Sequence, residues 1–204
     1  MKNIKNIIFD LGGVFMDIDF ALTEQAFVDL GITNFKELFT QHHASPLFED
    51  LETGKISPEE FYDLFRAEVK TDLTNDQIKY AWNALLINFP AERLHWLEQI
   101  KSRYNIYLFS NTNQIHYDAF IEIFKNESGK EDFNQYFIKA YYSQTLGLRK
   151  PYKESYLKII EEQNLIAAET LFIDDTPKNI VGAKEAGLQA ILLSPPLTVL
   201  DLDL

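Results

Sequence analysis

Ile7-Ile8-Phe9-Asp10-Leu11-Gly12-Gly13-Val14 is a short apolar run that stops at a carboxylate and continues into two glycines. Bulky apolar residues without alternation mark a strand buried on both faces, the kind found in parallel sheets. The glycines let the backbone come close to a ligand just past the strand. Open α/β sheets build their sites at the carboxyl ends of their strands, and Asp10 stands at such an end.

Downstream the pattern repeats. Helices are expected over 91–104, 115–124, 152–163 and 177–186, and strands over 106–109, 137–142, 170–173 and 190–193. Such alternation predicts a parallel sheet with right-handed crossovers. Ser110-Asn111 follows the second strand, Lys150 comes soon after the third, and Asp174-Asp175 follows the fourth. In a parallel sheet these ends converge with Asp10 on one edge.

Between the first strand and Pro90 the chain reads as helical throughout. Helices are expected over 21–30, 35–41 and 48–53. Ser57-Pro58-Glu59-Glu60 and Thr74-Asn75-Asp76-Gln77 each carry a cap residue ahead of a further helix. The expected fold class is therefore α/β, a Rossmann-like parallel sheet core (1–16 and 91–204) with an inserted helical-bundle cap (17–90).

The chain has 204 residues, 46% of them hydrophobic, with no cysteine and a net charge of -12. This is enough apolar material for a sizeable core, and thiolate chemistry is excluded. The charge and the lack of a basic cluster argue against a nucleic-acid partner. No apolar stretch has the length of a membrane span or a leader, so a cytoplasmic protein is expected. No protein partner is predicted.

Three carboxylates, a hydroxyl, an amide and an ammonium on one edge suit Mg²⁺ and a phosphate group. Taken singly each has a plainer role: Asp174 or Asp175 as a helix cap, Ser110 as a turn residue, Lys150 as a surface lysine. Their joint placement points to function.

This set, in this order, resembles the haloacid dehalogenase-like (HAD) hydrolase superfamily over nearly the whole chain. Phe9-Asp10-Leu11-Gly12-Gly13-Val14, Ser110-Asn111-Thr112-Asn113 and Arg149-Lys150-Pro151 look like its sugar-phosphate phosphatase branch, near the phosphatase domain of bifunctional epoxide hydrolases. The resemblance implies Asp10 as nucleophile, forming an aspartyl-phosphate. It implies Mg²⁺ held by Asp10, the Gly12 carbonyl and Asp174-Asp175. Ser110 and Asn111 would hold phosphate oxygens, and Lys150 would offset charge. The expected substrate is a small phosphorylated metabolite, with a sugar phosphate first.

One departure stands out. Most of the superfamily has an Asp at position 12 as general acid and base, where this chain has Gly12. That help is worth ~10²–10⁴-fold, so its loss favours leaving groups that need little protonation, such as anomeric, aryl or acyl phosphates. The alternative function is a non-catalytic or regulatory phosphometabolite-binding member. A dehalogenase would not need the acidic pair, and a phosphomutase would need the missing acid. Asp17 and Asp19 could reach back as substitutes, but capping or solvent contact is the expectation for both. His42-His43 lacks a metal-ligand spacing, and His116 is expected on a helix surface. Phe48, Glu49, Glu52 and Trp82 are candidates for substrate contact, with packing the competing role of the aromatics.

Overall fold

The computed structural model describes residues 3–40 and 43–204. Five parallel strands form the central sheet: β1 (Asn6–Phe9), β6 (Asn105–Ser110), β7 (Lys139–Tyr142), β8 (Thr170–Asp174) and β9 (Gln189–Leu192), in the order β7-β6-β1-β8-β9. β1 is central, with Phe9 in register with Leu108 on one side and Ile173 on the other. The ends of β6 and β8 therefore flank Asp10.

Burial of both sheet faces explains the unbroken apolar runs. Ile7, Phe9, Leu108 and Ile173 feed the core on one face. Ile8, Phe109 and Phe172 feed the core on the other. Between the strands lie α6 (Ala91–Ile100), α7 (Gln114–Ser128), the short α8 (Ser143–Leu146), α9 (Lys153–Glu162) and α10 (Pro177–Glu185). The expected strand over 137–142 begins only at Lys139, because Phe133–Tyr136 forms a 3-10 turn ahead of it.

The segment between β1 and α6 contains α1 (Phe20–Asp29), α2 (Phe35–Leu38), α3 (Pro46–Glu52), α4 (Pro58–Val69) and α5 (Asn75–Asn83). Ser57 with Glu60, and Thr74 with Gln77, form reciprocal capping boxes that start α4 and α5. These helices have their own aromatic core, including Phe27, Phe35, Phe48, Phe61, Phe65 and Trp82, and Ile115 of α7 joins it.

The segment is not helical throughout. β3 (Phe39–Thr40) and β4 (His43–Ala44) form a small antiparallel ribbon, so the helix expected over 35–41 ends at Leu38. Gln41 and His42 lie outside the described residues. A second ribbon pairs β2 (Asp17–Ile18) with β5 (Leu86–Asn88) where the chain leaves and rejoins the sheet domain. Strands of two or three residues are too short to show a period in sequence.

Candidate active site

Asp10 follows β1, Ser110 ends β6 and Asp174 ends β8, so the sheet order brings all three together. Lys150 is buried between two carboxylates, its Nζ 2.7 Å from Asp10 Oδ1 and 2.7 Å from Asp174 Oδ2. The Leu11 amide also donates to Asp10 Oδ1 at 2.7 Å. Burial, then the charges of Asp174 and Asp175, push the Asp10 carboxyl well above the usual range, while Lys150 pulls it back. Burial would lower Lys150, but the Asp10 and Asp174 carboxylates outweigh it and keep the ammonium charged.

Asp174 is completely buried and heavily occupied. Asn179 Nδ2 lies 3.0 Å from each of its oxygens, and the Thr176 amide donates to Oδ1 at 2.8 Å. Asp174 is not the N-cap of α10, which is Thr176; it accepts from the Thr176 amide ahead of the helix and holds Lys150 as well. Asp175 is only partly buried and lines the cavity beside Asp10. Burial and the Asp174 charge raise its carboxyl. Gly13 has φ +71, and a Cβ there would clash with Asp175 Oδ2. Glycine at 13 therefore serves both the turn and the space for this carboxylate.

Asp10, Asp174 and Asp175 each offer an oxygen within 4.8 Å of the others. Three hard oxygen donors gathered on one edge, with Lys150 against two of them, fit a divalent cation that offsets the excess negative charge. Ser110 and Asn111 line the same cavity. Asn111 is engaged at both ends of its carboxamide: Oδ1 accepts from the Lys150 amide at 2.9 Å and Nδ2 donates to the Lys150 carbonyl at 3.0 Å. Its side chain therefore positions Lys150.

The cavity measures about 130 Å³ and lies between the sheet edge and the inserted helices. Its wall includes Ile18, Phe20, Phe39, Leu85 and Leu86 from the inserted segment and Phe120 from α7. Glu52, Arg149, Lys178 and His116 also line it. Arg149 joins the sheet domain to α3 through Glu52 Oε2 at 2.9 Å and Glu49 Oε1 at 2.6 Å. Burial raises the Glu52 carboxyl and Arg149 opposes this.

Other sequence candidates fall elsewhere. Asp17 pairs with Arg93 at 2.8 Å, and Asp19 caps α1 through the Ala21 amide, so neither replaces the missing acid. Phe48 and Trp82 are fully buried in the helical core and do not line the cavity. His116, expected on a helix surface, is buried in the first turn of α7 and faces the cavity, because Asn113 caps that helix over the site. Asn179 was missed, although its place in the first turn of the helix after Asp174-Asp175 was a usable signal. Lys178 and Arg149 had no such signal beyond being neighbours of named residues.

A parallel sheet with a carboxylate cluster, a buried lysine and a hydroxyl at its carboxyl edge, under an inserted helical segment, describes an open α/β fold with a candidate cation and phosphate site at its sheet edge. A model of haloacid dehalogenase-like hydrolases matches residues 4–187, and the chain belongs to that family. It is 34% identical over 186 residues to D-ribitol-5-phosphate phosphatase from Bacteroides thetaiotaomicron, covering 91% of this chain and 90% of that protein. A HAD-family enzyme of the same organism, solved with magnesium and inorganic phosphate, superposes with a TM-score of 0.88 at 31% identity, over 95% of both chains. A HAD-like hydrolase from Porphyromonas gingivalis superposes with a TM-score of 0.85 at 31% identity, over 93% of this chain and 91% of that one.

Proposed function

We propose that the chain hydrolyses a small phosphorylated sugar or polyol by way of an aspartyl-phosphate on Asp10. It is a Mg²⁺-dependent phosphatase of its family. The observation that carries this reading is Lys150 seated between Asp10 and Asp174 at the end of adjacent strands, with Asp175 and Ser110 in the same cavity. The similarity to a ribitol phosphate phosphatase supports the substrate class and extends it to a primary alkyl ester, outside the leaving groups expected from Gly12. The cavity sets a few polar groups at the sheet edge against a largely apolar wall, as small-molecule sites do. Composition supports a cytoplasmic location.

Asp10, Asp175 and the Gly12 carbonyl would hold the ion, with Asp174 behind them. When bound, it neutralises the carboxylates and draws charge from the phosphoryl oxygens. An Asp10 oxygen attacks phosphorus in line as the bond to the leaving oxygen breaks, and the departing oxygen takes its proton from solvent. Lys150 and Ser110 stabilise the charge on the phosphoryl group. Water then splits the acyl phosphate, releasing phosphate and restoring Asp10. We assign the inserted helices the role of a cap that closes the cavity over the substrate.

Asp10, Ser110, Lys150, Asp174 and Asp175, all retained around one edge, do not favour a non-catalytic binding protein. The test is phosphate release with Mg²⁺ from D-ribitol 5-phosphate, an aldose 1-phosphate and p-nitrophenyl phosphate. Release should stop with EDTA and be abolished in Asp10→Asn. No release from any of the three would sink the proposal.

A further inference from the structure

The ring of His116 lines the catalytic cavity but belongs to none of the groups that handle phosphate. It is buried, stacked on Trp82 at 4.5 Å between centroids, and its Nδ1 lies 2.8 Å from Asn83 Oδ1. A carboxamide oxygen can only accept, so Nδ1 carries the proton and Nε2 of the neutral ring is an acceptor. Burial pushes the imidazole down to about 3, so it stays uncharged near neutral pH.

Among the described residues nothing donates to Nε2. His116 lines the cavity, so a donor carried by a bound ligand can pair with Nε2 in place of water. The phosphate end of a phosphomonoester is acceptor-rich. A hydroxyl on the carbon chain is a donor.

We infer that His116 Nε2 accepts a hydrogen bond from a hydroxyl of the substrate's carbon chain, which makes His116 a specificity-determining residue for hydroxylated phosphates. Asn83 fixes its tautomer, and the stack on Trp82 fixes its plane. The inference rests on the phosphatase reading above. A site built around such a hydroxyl rejects analogues that lack it, because the acceptor is then buried unpaired.

The experiment compares kcat/KM for D-ribitol 5-phosphate and for n-pentyl phosphate, which has the same carbon count and no free hydroxyl. His116→Phe keeps an aromatic ring against Trp82 and removes the acceptor. It should lower kcat/KM for the polyol phosphate about 10- to 100-fold and leave pentyl phosphate within about 3-fold. His116→Gln, which restores an acceptor, should recover part of the loss. Equal losses on both substrates, or none on either, overturn the inference.

A second readout is independent of turnover. In Asp10→Asn with Mg²⁺, the ¹⁵N resonance of His116 Nε2 should be that of an unprotonated nitrogen. It should move on adding D-ribitol 5-phosphate and stay put with inorganic phosphate. A resonance that ignores the polyol phosphate, or answers both ligands alike, overturns the inference. If the wild type turns over neither substrate, this titration still decides the role of His116, and the three-substrate test above decides the phosphatase reading.

Discussion

A Cβ on Gly12 would lie 2.7 Å from Cδ1 of Ile18, so an apolar side chain of the β2–β5 ribbon fills the space a residue at position 12 would need. The missing acid is thus part of a local packing arrangement, in which restoring a side chain at 12 requires Ile18 to give way.

Gly12→Asp alone should crowd the end of the Ile18 side chain and cost up to about 1 kcal/mol, with little gain in rate. Combined with Ile18→Ala, the new side chain should find room, at the cost of the core packing that Ile18 provides. The double variant should also speed hydrolysis of an alkyl phosphate by at least about 10-fold, with a smaller gain on p-nitrophenyl phosphate. Urea denaturation and steady-state kinetics check this. A single variant that is as stable as wild type and faster would refute the packing argument.

Lys150 is the sole cation contacting Asp10 and Asp174 among the described residues. Lys150→Met leaves two buried carboxylates uncompensated and should cost about 3–5 kcal/mol in metal-free protein. Adding Asp174→Asn to that variant should recover a large part. Thermal melts of the single and double variants decide it, and additive losses would contradict it.

Mg²⁺ should stabilise the folded chain, because it offsets the repulsion among Asp10, Asp174 and Asp175. Near a hundredfold excess over Kd the gain is about 2.7 kcal/mol, or roughly 5–10 °C in Tm for a chain of this size. Asp175 faces the cavity while Asp174 is taken up by Lys150 and Asn179. Asp175→Asn should accordingly lose more than half of the shift. An undiminished Mg²⁺ shift in this variant would remove Asp175 from the metal site.

Arg149→Met should uncouple α3 from the sheet domain and leave Glu52 buried without its cation. The folded Glu52 carboxyl is raised, so the stability its proton contributes is present below the ordinary value near 4.5 and lost as pH rises. The variant should be weaker by about 3 kcal/mol at pH 8 and by clearly less at pH 5. Urea midpoints at the two pH values test this, and a pH-independent loss would count against it.

His116 titrates in the opposite sense. Its folded value is depressed to about 3 from 6.5, so stability is present above 6.5 and is lost as pH falls toward 3. Each unit below 6.5 costs about 1.4 kcal/mol, or about 2 kcal/mol by pH 5. Wild type should lose that much more than His116→Phe between pH 8 and pH 5. Parallel pH profiles would show that the imidazole does not titrate this way.

The sheet and its site edge were legible in the chain because fully buried strands are unbroken apolar runs. Asp10, Ser110 and Asp174 end such runs or follow them directly, so strand order alone gathers them. Lys150 was legible from its place beyond the third strand. Its contact with two carboxylates was not, and neither was the use of the Asn111 side chain to hold the Lys150 peptide. Asp174 and Asp175 read as equivalent in sequence, yet one is saturated by Lys150 and Asn179 and the other faces the cavity.

The rest depended on how the inserted helices dock. Ile18 against Gly12, Arg149 against Glu49 a hundred residues away, and His116 against Asn83 thirty-three residues away join segments with no local pattern in common. Local periodicity reports which face of an element is apolar. It carries no information on which polar side chains meet across two elements, because that follows from the packing of two separate cores. The clustering of polar groups at Asp10 was therefore written along the chain, while the contacts that shape the cavity wall arise only where the two cores meet.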